Sequence, residues 1–407
     1  MAATSSSIPS PSPYDLPSIL GNLRSHQQRL SGSGEACIFN ETEISAKINA
    51  LIHSDKTLLS YNPYYRSSTS GLARTIYVVP AGVFMLLTRK SKGDLMTAGG
   101  IKRTYTAINL STNKFATYFS CKEKKIEKDT VASCLTSQFR GEFLLQAHMG
   151  SDITASTFSD SSTIHHKKGV AHFCYLGEKM EGDLFQGILS GRIDVKDTQT
   201  RFNLLHQIAD VTARFQTKAK EMFGKECVHR DLKPDNYLYD FKNGELVIRL
   251  IDFERISPSG IRSLVSGTPQ YIDPYIFRNA DSGFYAAAPF NDSWSLGMTL
   301  VQIIYSRDAI NFLWLTSNSN FYSILIRSQY REIIDDILDC ETQEEWIPVA
   351  PSRDSIEYVI YMLLQLDPKK RWTIQQAADE LLRLKQLLPE VSTKATGATA
   401  ESLPLTP

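Results

Sequence analysis

Val228-His229-Arg230-Asp231-Leu232-Lys233-Pro234-Asp235-Asn236, followed by Leu250-Ile251-Asp252-Phe253-Glu254, is the stretch whose reading decides the fold. Between its halves stands Asn243-Gly244, a pair that accepts positive φ and signals a tight hairpin between two strands. An aspartate is followed five residues later by an asparagine (231 to 236), and a second aspartate comes sixteen residues on (236 to 252). Upstream, from Thr75 to about Lys125, short runs such as TIYVV, GVFMLL, RTYTAI and FATYFSC are separated by Gly, Lys and Asn clusters, the pattern of a small antiparallel sheet. Around and beyond the quoted stretch, Thr198 to Phe223, Asp292 to Tyr305 and Ser355 to Gln386 repeat apolar residues at helical spacing, which makes the second half mainly α.

Further motifs lie downstream. Ser266-Gly267-Thr268-Pro269-Gln270-Tyr271 is followed by Asp292-Ser293-Trp294-Ser295-Leu296-Gly297 and by Leu366-Asp367-Pro368-Lys369-Lys370-Arg371-Trp372. Together these segments resemble the protein kinase family, in its serine/threonine form. The resemblance covers about residues 94–386 and is most specific at 228–254 and 266–297. It implies an α+β fold of two lobes, with a small antiparallel sheet plus one helix over 73–178 and a larger, mainly α lobe over 179–387. It also implies ATP and Mg²⁺ as cofactors and a protein as substrate.

Carried residue by residue, the resemblance makes Asp231 the group that accepts or orients the substrate hydroxyl and Lys233 the cation that reaches the transferring phosphate. Asn236 and Asp252 would hold the metal as hard oxygen ligands. Thr268 would bridge Asp231 and Lys233, and Asp292 would hold the backbone of the catalytic loop. In the first lobe the match is weaker: only Gly99 and Gly100 survive of three phosphate-covering glycines, with Lys102 or Arg103 offering direct charge instead. Lys122 is the choice for the phosphate-binding lysine, with Lys124 its nearest rival, and Glu142 for its partner, although a solvated helix charge is the plain alternative for Glu142. Leu176 to Phe185 resembles the hinge between lobes, where backbone groups of Glu178 and Met180 would grip adenine. Gly177 would then stand where a bulkier side chain limits pocket depth, which implies an open nucleotide site.

Two departures carry expectations of their own. Glu254 replaces the glycine that follows the metal-binding aspartate, and a non-glycine forced into a sparsely allowed conformation costs about 1–3 kcal/mol. Asp273 replaces the glutamate that pairs with a buried arginine, so Asp273, or the ring of Tyr275, must compensate Arg371. The segment in between carries Ser257, Ser259, Ser263 and Ser266, and Arg230 is of the type that pairs with a phosphate placed there.

Composition bounds the rest. With 407 residues, 42 % apolar, the chain can bury a sizeable core, and 44 basic against 44 acidic residues give no bulk attraction to nucleic acid or anionic membrane. Six cysteines without a C-x-x-C pair argue against structural zinc and for a reducing compartment, and no apolar run is long enough to span a bilayer. A cytoplasmic monomer is expected. The Ser/Pro-rich start, taken with residues up to 34 as a disordered tail, would equally suit export or organelle targeting. Residues 35–72 form an extension in which Ile44, Ile48, Leu51 and Ile52 suit one amphipathic helix, and 388–407 form a second loose tail. Two rival functions share most of these residues. A nucleotide-binding pseudokinase acting as an interaction module is favoured by the degraded glycine loop and Glu254, and a small-molecule phosphotransferase of related fold is opposed by the motifs at 266–271 and 292–297.

Overall fold

The computed structural model describes residues 15–31, 59–61, 75–79, 82–87, 95–98, 102–122, 143–157, 163–167, 170–305, 342–347 and 350–389, with helical residues between 41 and 49; in parts of the first sheet the backbone alone is described. The β-like runs become one eight-stranded sheet. Its strands are β1 (Leu59–Tyr61), β2 (Thr75–Val79), β3 (Gly82–Leu87), β4 (Leu95–Ala98), β5 (Lys102–Asn109), β6 (Lys114–Lys122), β7 (Thr163–Lys167) and β8 (Val170–Glu178). They lie in the order β1-β2-β3-β5-β6-β8-β7, with β4 pairing on β5, and the pairings are antiparallel. Alternation along the strands gives the sheet two apolar faces. Tyr77, Phe84, Leu86, Ala107, Ala116, Tyr118, Cys174 and Leu176 cluster on one. Ile76, Met85 and Ile108, the alternate positions of β2, β3 and β5, are buried as well.

A helix occupies part of the segment expected as a disordered tail, which corrects that expectation. Helix α1 (Leu16–Ser31) buries Ile19 and Leu23 completely, and Asn22 Nδ2 donates to the Leu110 carbonyl, 2.7 Å away, at the turn after β5. Leu16, Ile19 and Leu23 recur at helical spacing, and burying two such side chains is worth about 1.5–3 kcal/mol each. The Ser/Pro bias of the first residues, which lie outside the described part, masks this local pattern. In the following extension Glu41, Thr42, Ser45, Ala46 and Asn49 are helical, while its apolar positions lie outside the described residues.

A short helix at 143–149, α2, falls between β6 and β7 in the chain, within the first lobe, and the second lobe is built around α4 (Thr198–Phe223), preceded by the strand β9 (Gly182–Asp183) and α3 (Leu184–Leu189). Asp197 caps α4 by accepting from Thr200 N, and Gly224, at φ 65°, ends it in the left-handed conformation that glycine adopts without strain. Leu204, Leu205, Ile208 and Phe215 of α4 are buried against α9 (Ile374–Gln386), α8 (Ile356–Leu363) and α6 (Pro289–Tyr305). Asn243-Gly244 makes the hairpin between β11 (Tyr237–Lys242) and β12 (Glu245–Leu250), both residues taking positive φ. The helical pattern read over Ser355–Gln386 is broken between α8 and α9 by the loop that carries Arg371. Among the described residues no helix is long and apolar enough to cross a membrane.

Candidate active site

The loop between β10 (Cys227–Val228) and β11 starts from a strained residue. Arg230 has φ 71°, and Asp292, fully buried at the start of α6, accepts from the amides of His229 at 2.7 Å and Arg230 at 3.0 Å. A left-handed residue costs about 1–3 kcal/mol and persists where the surroundings over-determine it; here a buried carboxylate fixes both peptide groups. Burial pushes the Asp292 carboxyl up to about 6, against the pull of those two amides.

Asp231 is the centre of the arrangement. Its Oδ1 accepts from the Thr268 amide and hydroxyl, each at 2.8 Å, and its Oδ2 from Lys233 Nζ at 3.1 Å and Asn236 Nδ2 at 3.4 Å. Lys233 Nζ also donates to Thr268 Oγ1 at 2.7 Å, so the lysine lies between the two. Burial pushes the Asp231 carboxyl up, but Lys233 and Thr268 outweigh it, and the group ends below the usual aspartate value. Thr268 can reach Asp231 because Gly267 precedes it: at φ 128°, a Cβ there would stand 2.6 Å from the Arg230 carbonyl.

Asn236 Nδ2 donates to the Asp231 carbonyl at 2.7 Å, and its own carbonyl accepts from the Ile251 amide at 2.9 Å. His229, fully buried, its imidazole pKa pushed down by that burial, places Nε2 3.2 Å from the Ile251 carbonyl. Both backbone groups of the residue before Asp252 are therefore tied to the loop. Asp252 is left-handed at φ 70°, and Phe253 is buried in stacking contact with Phe215 and edge contact with His229, centroids 5.5 and 5.6 Å away. Glu254 lies in the 3-10 turn Phe253–Arg255 without positive φ, so the strain expected at that position falls instead on Asp252 and Arg230.

Arg371 is compensated by Asp273. The guanidinium bonds both oxygens of that carboxylate, at 2.5 and 3.3 Å, with both side chains completely buried, and also bonds the Gln365 and Phe290 carbonyls. The rings it faces are Trp294 and Phe290, at 5.2 and 5.8 Å, while Tyr275 packs edge-on against Phe290.

The hinge corrects one expectation. A Cβ on Gly177 would meet the Ser156 carbonyl at 3.0 Å and the Phe119 ring at 3.3 Å, so main chain and an aromatic ring fill the space that glycine was expected to leave open. Glu178 is also partly committed: its amide donates to Ser156 O at 2.7 Å and its carboxylate pairs with Lys242 at 2.8 Å. Among the described residues no hydrogen bond takes up the Met180 amide, whereas the Met180 carbonyl accepts from Lys179 Nζ at 2.5 Å. Lys122 ends β6 opposite His172, but its side chain, like Lys124, Glu142, Gly99 and Gly100, lies outside the described residues. Arg255, not singled out in the sequence, places Nε 3.8 Å from Asp231 Oδ2 and 3.6 Å from Glu254 Oε1. Its position after Glu254 gave no signal, since only folding brings the turn over the loop.

A strand-rich lobe and a helical lobe joined by a hinge, with an Asp-Lys-Asn loop beside a left-handed Asp, define a phosphotransferase of the kinase class. A family model described as protein kinase domain matches residues 93–382, and the chain belongs to the protein kinase family. Several of its relatives are serine/threonine-protein kinases, and the chain is of that type. CBL-interacting serine/threonine-protein kinase 12 of Arabidopsis thaliana is 25 % identical over 308 residues, 72 % of this chain and 52 % of that protein. Serine/threonine-protein kinase mrck-1 of Caenorhabditis elegans is 33 % identical over 141 residues, 33 % of this chain and 8 % of that protein. Serine/threonine-protein kinase MRCK beta of Homo sapiens is 41 % identical over 83 residues, 19 % of this chain and 5 % of that protein. The chain thus spans about half the length of the first of these and a small fraction of the other two.

Proposed function

We propose that the chain transfers the γ-phosphate of ATP, with Mg²⁺, to serine or threonine hydroxyls of a protein substrate. The observation that carries this reading is the convergence of Lys233, Thr268 and Asn236 on the buried Asp231 carboxylate, beside Asp252. Asp231 Oδ1 holds two short bonds from Thr268, whereas the bonds to Oδ2 are longer, so Oδ2 is the oxygen that takes the substrate hydroxyl. As the hydroxyl oxygen bonds to the γ-phosphorus, the bridging P–O bond to the leaving ADP breaks and the hydroxyl proton passes to Asp231. Lys233 is placed to neutralise charge at the transferring group.

The residues fit a hard cation. Asn236 uses its amide nitrogen on Asp231, which leaves Oδ1 for a metal, and among the described residues no hydrogen bond or ion pair takes up the Asp252 carboxylate. Mg²⁺ bound by these two oxygens would neutralise charge on the phosphates. A second reading, the pseudokinase, is favoured by the filled space at Gly177 and the committed Glu178 amide. Incubation with γ-labelled ATP, Mg²⁺ and a basic protein separates the two: label on serine and threonine is expected. Its absence, with ATP still raising the melting temperature, selects the pseudokinase.

A further inference from the structure

We propose that the segment from Asp252 to Thr268 is held in its working position by the protein's own hydrogen bonds, with Arg230 as the positioning residue, so that phosphate transfer needs no prior phosphorylation of this segment. The proposal rests on the kinase reading above. Arg230 is of the type that pairs with a phosphate on one of the four serines, but its Nη2 already donates to the Leu264 carbonyl, in the middle of the segment. That arginine is itself fixed through its amide by Asp292, so its guanidinium has a defined origin.

The segment is also paired at both ends. Strand β13 (Ser257–Pro258) lies antiparallel on β10, directly before the catalytic loop. Strand β14 (Arg262–Leu264) lies antiparallel on β15 (Phe284–Ala286), with Ser263 opposite Tyr285 and Leu264 opposite Phe284. Bonds from Ser259 N to Glu226 O (2.7 Å), Gly260 N to Ala287 O (3.0 Å) and Val265 N to Gly283 O (2.9 Å) close the remaining gaps. Arg262 adds an ion pair to Asp281 at 2.6 Å and lies over the Phe284 ring.

The partner strand is prepared by local chemistry. Ser282 and Gly283, at φ 51° and 76°, form the two central residues of the turn that joins Asp281 to Phe284, and two consecutive positive-φ residues are the mark of a tight hairpin turn. The turn therefore shapes β15 through its own backbone, with Arg262 of β14 bonding Asp281 at its first residue. The serines point the same way: Ser257 is buried and donates to the Pro258 carbonyl, and the Ser263 hydroxyl is buried within the ladder. A phosphate on either would have to open the pairing, so modification there should weaken activity, the reverse of the usual activating sign.

Hydrogen exchange on the full chain tests this, after phosphatase treatment until mass spectrometry finds no phosphate. The Gly260 and Val265 amides are expected to be protected at least tenfold over an unstructured peptide, and Arg230→Gln and Gly283→Val should each abolish that local protection while the melting transition persists. The quadruple variant Ser257→Ala, Ser259→Ala, Ser263→Ala, Ser266→Ala should keep the turnover of the untreated protein. Unprotected Gly260 and Val265 amides in the phosphate-free chain, or turnover that appears only after phosphorylation, would overturn the proposal. Intact protection without any turnover would count against the transferase reading and for the clamp.

Discussion

Asp292 shows how one side chain serves the site from behind. It touches no reactant in the proposed reaction, yet it holds the amides of His229 and Arg230, and burial pushes its carboxyl up to about 6. The folded chain then binds this proton more tightly than the unfolded one, so the group favours folding below about pH 4 and loses that contribution as pH rises through about 6. The loss is on the order of 2–3 kcal/mol. Melting temperatures followed from pH 4 to pH 7 should therefore shift in favour of Asp292→Asn relative to the native protein up to about pH 6 and stay level above it; parallel curves would contradict the assignment. The residues of this inner site were legible because each chemical task demands a particular residue type within a few positions: Asp231, Lys233, Asn236 and Thr268 stand together in space as their motifs imply. Arg255 and the filled space at Gly177 were not, because the first depends on the path of a turn and the second on the carbonyl of Ser156, a residue from another part of the chain.

At the scale of elements, the pairing of Arg371 with Asp273 ties the loop between α8 and α9 to the N-cap of α5 (Pro274–Asn279), 98 residues away in sequence. Both side chains are completely buried, and Asn291 Nδ2 at the start of α6 donates to the same Asp273 oxygen at 2.7 Å. Removing one member leaves a buried charge without its partner, which costs about 3–5 kcal/mol. Arg371→Ala is accordingly expected to lower the melting temperature by several degrees, checked by calorimetry; an unchanged transition would show that the pair contributes nothing to holding α5, α6 and α8 together. The need for a partner could be read from Arg371 alone, but the choice between Asp273 and Tyr275 could not, since it depends on where α5 begins. Helix α4 was plain in its apolar period, whereas the short strands β13, β14 and β15 have only two or three residues each and no period to read.

For the whole molecule, the first lobe is larger than a small sheet with one helix. Helix α1 and strands β1 to β3 extend it ahead of the matched kinase residues 93–382, and α1 seals the lobe by burying Ile19 and Leu23. A chain begun at residue 35 should be less stable by a few kcal/mol, since each buried branched side chain lost costs about 2–5 kcal/mol; the midpoint of urea unfolding measures this, and an unshifted midpoint would show that α1 is dispensable. Composition hid α1 because its apolar positions are few and a Ser/Pro-rich stretch precedes them. The proposed function joins the two lobes: Asp231, Asn236 and Asp252 would work together on a nucleotide held between them. The most direct measurement is the single-turnover rate of phosphate transfer from Mg·ATP to protein serine, for the native chain beside Asp252→Ala. A drop of at least about a hundredfold in the variant is expected for loss of a group that stabilises transferring charge, and equal rates in the two proteins would contradict the account.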